Sequence, residues 1–216
     1  MVPGPWRLVT FDIDGTLTLV HGWKVLAERF GRSERYERAM ARIRNGAAGE
    51  DETITELLRI AEGHTVAEVQ AGLVETPKLS RIPDGVRELH DRGIRVALLT
   101  HNPPYVTDWY RAWGGFDDAG GIRGTQPTQP TIGPPVDVRA DKLGALAELV
   151  SRAGVEPSAV VHVGDARPDA AVFPHVGAGI ALNAKSADVA EAADLALRTT
   201  DFGTVVEALL RLPSRE

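Results

Sequence analysis

Val9-Thr10-Phe11-Asp12-Ile13-Asp14-Gly15-Thr16-Leu17-Thr18 is an apolar strand that runs out into two carboxylates and a glycine turn. Asp12 and Asp14 stand two residues apart across the exit from strand to loop. The backbone can therefore aim the first carboxylate outward while the second swings in from the loop. Two carboxylates at a buried edge repel each other, which is costly unless a cation or a proton offsets it. Such a pair marks a site.

Downstream, residues 21–74 show helical spacing and no strand pattern. Trp23, Leu26, Ala27 and Phe30 share one helix face, which ends near Gly31. Ser33, Tyr36, Met40 and Ile43 suggest a second helix ending near Gly46, and Thr53, Ile54, Leu57, Leu58 and Ala61 a third ending at Gly63. Thr65 and Glu68 have capping-box spacing for a fourth. From Arg81 onward helices alternate with short apolar strands. Helices are expected at 83–92, 106–113, 141–153, 186–192 and 202–210, and strands at 94–99, 159–163, 178–182 and 195–197. Residues 114–135, rich in Gly, Pro, Thr and Gln, read as a hairpin or an irregular flap over the site.

The alternation predicts an α/β fold, a Rossmann-like three-layer core with a parallel sheet covered on both faces. Residues 1–19 and 80–216 are expected to form this core, with a small helical unit at 20–79 inserted after the first strand. Residues 1–5 are Pro/Gly-rich and expected to fray.

The chain has 216 residues, enough for one core with a smaller insert. It contains no cysteine, which excludes disulfides and thiolate metal sites and makes the cytoplasm the default location. A net charge of −6 argues against nucleic acid as a partner, and no apolar run reaches the length of a membrane span. No signal peptide pattern precedes the first strand. A monomer and a homodimer are equally compatible with this sequence. Basic residues are lopsided in kind, 20 Arg against only Lys24, Lys78, Lys142 and Lys185, so each lysine is of some interest.

In an open parallel sheet the functional crevice lies beyond the carboxyl ends of the strands. The first strand ends in Asp12 and Asp14. The next ends in Thr100, followed by His101 and Asn102. Strand 159–163 runs into Gly164-Asp165, with Asp169 four residues on, and Lys142 opens the helix before it. Four acids and one lysine at one sheet edge require a divalent cation, and an all-oxygen donor set favours Mg²⁺. The chemistry that needs this set is phosphoryl transfer. A carboxylate attacks an anionic phosphate only when metal and lysine screen the charge. A second carboxyl two residues on can protonate the leaving oxygen and then activate water.

These motifs resemble those of the haloacid dehalogenase superfamily, in its phosphatase branch. DIDGT at Asp12 to Thr16 fits the first motif, Thr100 the second, Lys142 the third, and GDARPD at Gly164 to Asp169 the fourth. The resemblance implies that Asp12 is the nucleophile and Asp14 the acid/base. It also implies that Asp12, the Asp14 carbonyl and Asp165 bind Mg²⁺ with Asp169 in support, and that Thr100, His101, Asn102 and Lys142 hold the substrate. The helical insert corresponds to the family's C1 cap and is similar to that of phosphoserine phosphatases. The implied activity is hydrolysis of a small phosphorylated metabolite through an aspartyl-phosphate. A mutase or phosphotransferase of the same fold and a non-turnover phospho-acceptor domain are the alternatives.

The chain departs from the phosphoserine subgroup at three places. That subgroup has Glu nine residues after the nucleophile, where His21 stands here as a candidate substrate contact. An ungapped alignment puts Thr55, with Arg59 one turn on, where the subgroup carries a carboxylate-gripping Arg. Pro168 replaces the Asn before the last Asp of the fourth motif. Phosphoserine itself is therefore not the expected substrate. His162, inside a strand, reads as packing, Trp23 as core of the insert, and the arginines at 29, 32, 35, 38 and 42 as a solvated, Glu-interleaved face.

Overall fold

A strand that is buried along its whole length sits at the centre of the molecule. In the computed structural model, which describes residues 6–44 and 49–213, β1 (Leu8–Phe11) is flanked on both sides by parallel partners. The expected fraying of residues 1–5 and the expected helix end near Gly46 lie outside the described residues. The helical insert follows β1 as α1 (Gly22–Arg29), α2 (Ser33–Arg44), α3 (Glu50–Leu58) and α4 (Val66–Glu75). Alternation then begins with α5 (Ile82–Asp91), β2 (Arg95–Leu99), α6 (Pro104–Gly114), β3 (Asp118–Gly120), β4 (Arg123–Thr125) and β5 (Val136–Arg139). It continues through α7 (Lys142–Ala153), β6 (Val160–Gly164), α8 (Arg167–Ala170), β7 (Ala178–Leu182), α9 (Ala187–Glu191), β8 (Leu195–Leu197) and α10 (Phe202–Arg211).

The main sheet has six strands, all parallel, in the order β3-β2-β1-β6-β7-β8. The chain winds one way from β1 through β2 to β3, then returns to β6 and winds the other way. The switch point therefore lies between β1 and β6, where their carboxyl ends open a crevice. Register follows side-chain parity. Val9 and Phe11 face a core that includes Phe202, Val206, Val86 and Leu89 of the helices α10 and α5. Leu8, one residue out of phase, joins Val160, Leu146 and Leu149 on the α7 side. Thr10 shares Leu8's parity and pairs in register with His162.

The helices of the insert form where the apolar spacing predicts them. Thr65 accepts from the Glu68 N–H while the Glu68 carboxylate accepts from the Thr65 N–H, so the capping box of α4 is complete.

The segment 114–135 departs from expectation. Asp118–Gly120 is a sixth strand of the main sheet, paired with residues 97–99 of β2. Three residues with one apolar side chain carry no strand pattern, and only the open edge of β2 makes them one. The hairpin-like part is an antiparallel ribbon of β4 and β5, whose second strand lies beyond residue 135. This ribbon is fastened to the insert. Asp51 accepts from the Ala140 N–H at 2.6 Å and from Arg139 at 3.2 Å, and the Gln126 amide donates to the Leu58 carbonyl at 2.9 Å. No helix among the described residues is long and apolar enough to cross a membrane.

Candidate active site

The turn after β1 is set by one carbonyl and one glycine. The N–H groups of Thr16, Leu17 and Thr18 all converge on the Ile13 oxygen, and Gly15 takes φ +92° inside that loop. A Cβ at Gly15 would lie 2.2 Å from Asp165 Oδ2, so both the backbone angle and the close approach require glycine. The Asp12 N–H still donates to the Val163 carbonyl of β6, at 2.9 Å, which leaves Asp12 as the last residue of the ladder with its carboxylate at the crevice.

Lys142 meets Asp12 there. The lysine is the first residue of α7, whose N-cap Asp141 accepts from the Gly144 N–H. Its Nζ lies 3.1 Å from Asp12 Oδ1 and 2.6 Å from Asp169 Oδ1, with all three side chains buried. Burial alone would push the ammonium down, but the two carboxylates outweigh it and hold it above its ordinary value. Burial raises Asp12, with Lys142 opposing and the neighbouring Asp169 and Asp14 adding to the rise.

Asp169 is the most fully engaged group of the site. Besides Lys142, Oδ1 meets His162 Nε2 at 2.9 Å, and Oδ2 accepts the N–H groups of Asp165 and Ala166 at 3.1 Å each. Burial would raise this carboxyl, but the lysine and the histidine hydrogen bond hold it well below the usual range. With four donors on two oxygens, Asp169 positions Lys142 and the loop after β6. Asp12 is met by Lys142 on Oδ1 alone. His162 does more than pack. Its other nitrogen lies 2.9 Å from the Thr10 hydroxyl, so the ring braces Asp169 against β1. A lone histidine in an apolar strand gave no sign of this role; the cross-strand register and α8 create it.

Asp12, Asp165 and Asp169 each bring an oxygen within 4.8 Å of the others, a buried all-oxygen cluster that could hold a hard divalent cation. Asp165 Oδ2 is buried without a well-directed hydrogen bond, and burial pushes this carboxyl up to about 7, with Lys185 opposing. Lys185 Nζ sits 2.7 Å from that oxygen and 3.5 Å from the Asp14 carbonyl. A protein ammonium thus lies beside these acceptors, as the local charge demands. Lys185 was singled out in the sequence only as one of four lysines; its place follows from the loop after β7, where its N–H donates to the Asp165 carbonyl. Thr16 completes the loop by donating its hydroxyl to Asp165 Oδ1.

Asp14 faces away from this cluster, toward the insert. Its Oδ1 accepts the Gly22 N–H at 2.5 Å and lies 3.7 Å from His21 Nδ1, and its Oδ2 accepts from the Asn102 amide at 2.8 Å. Asn102 also donates to Thr100 Oγ1 and accepts from Trp23 Nε1, so its amide is fully spent on protein partners. It orients Asp14 and ties α1 to the core. Thr100, buried at the end of β2, keeps its hydroxyl hydrogen free of any protein acceptor among the described residues. Thr100, His101, Lys142 and His21 all line one cavity of about 540 Å³ between the sheet edge and the insert.

Thr55 and Arg59 are not part of that cavity. The Thr55 hydroxyl donates to the Asp51 carbonyl, while Arg59 pairs with Glu56 and Glu62 and lines a separate open hollow with Arg32, Arg35 and Arg38.

His101 has a measurable consequence. Burial, with Lys142 adding, lowers its ring from an ordinary 6.5 to about 4. A group with a depressed folded value refuses a proton that the unfolded chain accepts. Stability is therefore unaffected above about 6.5 and falls as pH drops toward about 4, by about 3 kcal/mol from this residue. His101→Asn should flatten this part of the pH profile in urea unfolding between pH 7 and pH 4.5. Parallel wild-type and variant profiles would remove the assignment.

Residues 6–177 match the family model of haloacid dehalogenase-like hydrolases. A phosphoserine phosphatase of Archaeoglobus fulgidus is 31% identical over 192 residues, which are 86% of this chain and 55% of that protein. The chain spans about half the length of the curated relatives it matches. Among solved structures, a HAD family hydrolase from Salmonella enterica serovar Typhi superposes with a TM-score of 0.79 at 18% identity, covering 90% of this chain and 68% of the other. A substrate-bound phosphoserine phosphatase superposes with the same TM-score, 0.79, at 19% identity, over 94% and 98% of the two chains. Sheet order, the carboxylate-lysine cluster at the switch point and the match over most of its length agree: the chain belongs to the haloacid dehalogenase-like hydrolase family.

Proposed function

We propose that this protein is a Mg²⁺-dependent phosphatase of a small phosphorylated metabolite, acting through an aspartyl-phosphate on Asp12. The observation that carries the reading is the division of labour between two carboxylates two residues apart. Asp12 lies against Lys142 and beside Asp165, where cationic charge gathers. Asp14 is held by Gly22 and Asn102 on the side that faces the insert.

In the first half-reaction a carboxylate oxygen of Asp12 attacks phosphorus and the bond to the leaving oxygen breaks. Asp14 gives its proton to that oxygen. In the second half a water attacks the phosphorus of the aspartyl-phosphate and Asp14 takes up the water's proton. The bond to Asp12 then breaks, releasing inorganic phosphate and restoring the starting carboxylate. Lys142 and the Thr100 hydroxyl bind phosphoryl oxygens throughout. Asp12, Asp165 and the Asp14 carbonyl are the groups that would hold Mg²⁺, which when bound supplies the remaining screening between carboxylate and phosphate.

The curated relatives are named phosphoserine phosphatases, but the insert here presents no arginine to the cavity among its described lining residues, so phosphoserine is expected to be a poor substrate. Phosphate release should fall to background in EDTA and return on adding excess Mg²⁺. Turnover that persists in EDTA would overturn the metal assignment.

A further inference from the structure

The insert side of the cavity carries an uneven set of side chains. Met40 and Ile43 on α2 and Ile54 and Leu57 on α3 repeat at i, i+3 spacing, so each helix turns an apolar stripe toward the 540 Å³ space. Among the described residues, the only ionisable side chain of α2–α4 in that lining is Glu50, the first residue of α3. Glu50 makes no hydrogen bond or ion pair with another described side chain, and its carboxyl, exposed at the start of the helix, is raised by desolvation, with Lys142 opposing. The Thr53 hydroxyl next to it is already donated to the Gly49 carbonyl.

The described cations of the insert are spent elsewhere. Arg35 pairs with Glu56 and Arg42 with Glu52, both at 2.6 Å, Arg29 pairs with Glu75 at 2.7 Å, and Arg32 donates to the carbonyls of Arg59 and Ile60. On the core side Lys142 is held by Asp12 and Asp169, and Lys185 by Asp165. Arg167 pairs with Asp188 at the rim with its side chain 83% exposed. A substrate that places its phosphate on Lys142 therefore lays its body against aliphatic side chains and meets Glu50, a carboxylate with no partner among the described side chains.

We propose that the cavity selects phosphomonoesters with an aliphatic body that ends in a protonated amine and bears no carboxylate, with Glu50 as the residue that reads the amine. This substrate class rests on the phosphatase reading. The apolar stripes exclude water from the body of the ligand, which strengthens the Glu50 contact and penalises a carboxylate placed beside it without a cation.

The test uses probes of one length and three ends. Hexylphosphonate, 6-aminohexylphosphonate and 6-carboxyhexylphosphonate, whose P–C bond resists hydrolysis, are titrated into the Mg²⁺-loaded full chain by calorimetry. In parallel, phosphate release is measured from 6-aminohexyl phosphate. The amine should bind about 10-fold tighter than the plain alkyl probe and the carboxylate about 10-fold weaker. In Glu50→Gln the ratio of amine to alkyl affinity should collapse to within twofold, and in Glu50→Arg the order of amine and carboxylate should reverse. Equal or tighter binding of the carboxylate probe to the wild type overturns the substrate class, as does an amine preference that survives Glu50→Gln. The expected binding order without phosphate release would overturn the phosphatase reading and leave the class standing.

Discussion

Asp12→Asn should abolish phosphate release, by on the order of 10⁴-fold or more in kcat, while the fold remains intact. The amide occupies the volume of the carboxylate, so the ladder hydrogen bond from the Asp12 N–H to Val163 is unaffected. What disappears is the attacking oxygen and one of the charges that hold Lys142. Burial raises Asp12, and removing a buried charge surrounded by Asp14 and Asp169 relieves repulsion, so the variant should unfold no earlier than the wild type in EDTA. Single-turnover chemistry with acid quench should trap phosphate on the wild-type chain and none on the variant. Near-normal turnover by Asp12→Asn would end the assignment of Asp12 as nucleophile.

Lys142→Met should produce the largest effect on stability. Its ammonium lies between Asp12 and Asp169, and both carboxylates would be left in a buried place with no cation. Breaking a buried pair by removing one partner costs about 3–5 kcal/mol, because the other charge remains. For a chain of this size that is a melting temperature roughly 10 °C lower in EDTA. Mg²⁺ should recover part of the loss, since a cation at Asp12 and Asp165 supplies charge to the same cluster, and that recovery separates an electrostatic defect from a packing one. Turnover should fall on the order of 10²- to 10³-fold even with Mg²⁺, for want of the donor to the phosphoryl oxygens. An unchanged melting temperature in EDTA would show that Lys142 does not neutralise the cluster.

These two expectations concern residues that the linear chain marks plainly. Asp12 and Asp14 follow an apolar run and precede a glycine; Lys142 follows a helix-capping Asp; Asp165 and Asp169 follow another apolar run. Strand ends in a parallel sheet gather at one edge whatever the detailed packing, so alternation and spacing were enough to bring them together. The helical insert was legible for a similar reason. Helical periodicity and the Thr65–Glu68 box are local properties, and local interactions decide them.

Other parts depended on partners distant in sequence. Asp118–Gly120 becomes a strand only because β2 offers an open edge, and nothing in Asp-Ala-Gly announces it. His162 reads as an apolar-strand residue until in-register pairing sets it beside Thr10 and α8 brings Asp169 to its far side. Lys185 reaches Asp165 from beyond β7, and Asn102 turns its amide to Asp14 and Trp23.

By itself, then, the sequence determined the α/β alternation, the helical insertion after β1 and the set of acids, hydroxyl and lysine at the sheet edge. Periodicity, capping and strand ends are written within a few residues of each other. The tertiary structure alone decided which carboxylate faces the cation cluster and which faces the insert. It also decided which glutamate each described arginine of the solvated face meets, and that aliphatic stripes and Glu50 line the cavity on the insert side. Those outcomes depend on how two helices roll against each other and against the sheet, and a rotation of one residue on a helix moves a side chain by about 100° from one face toward another.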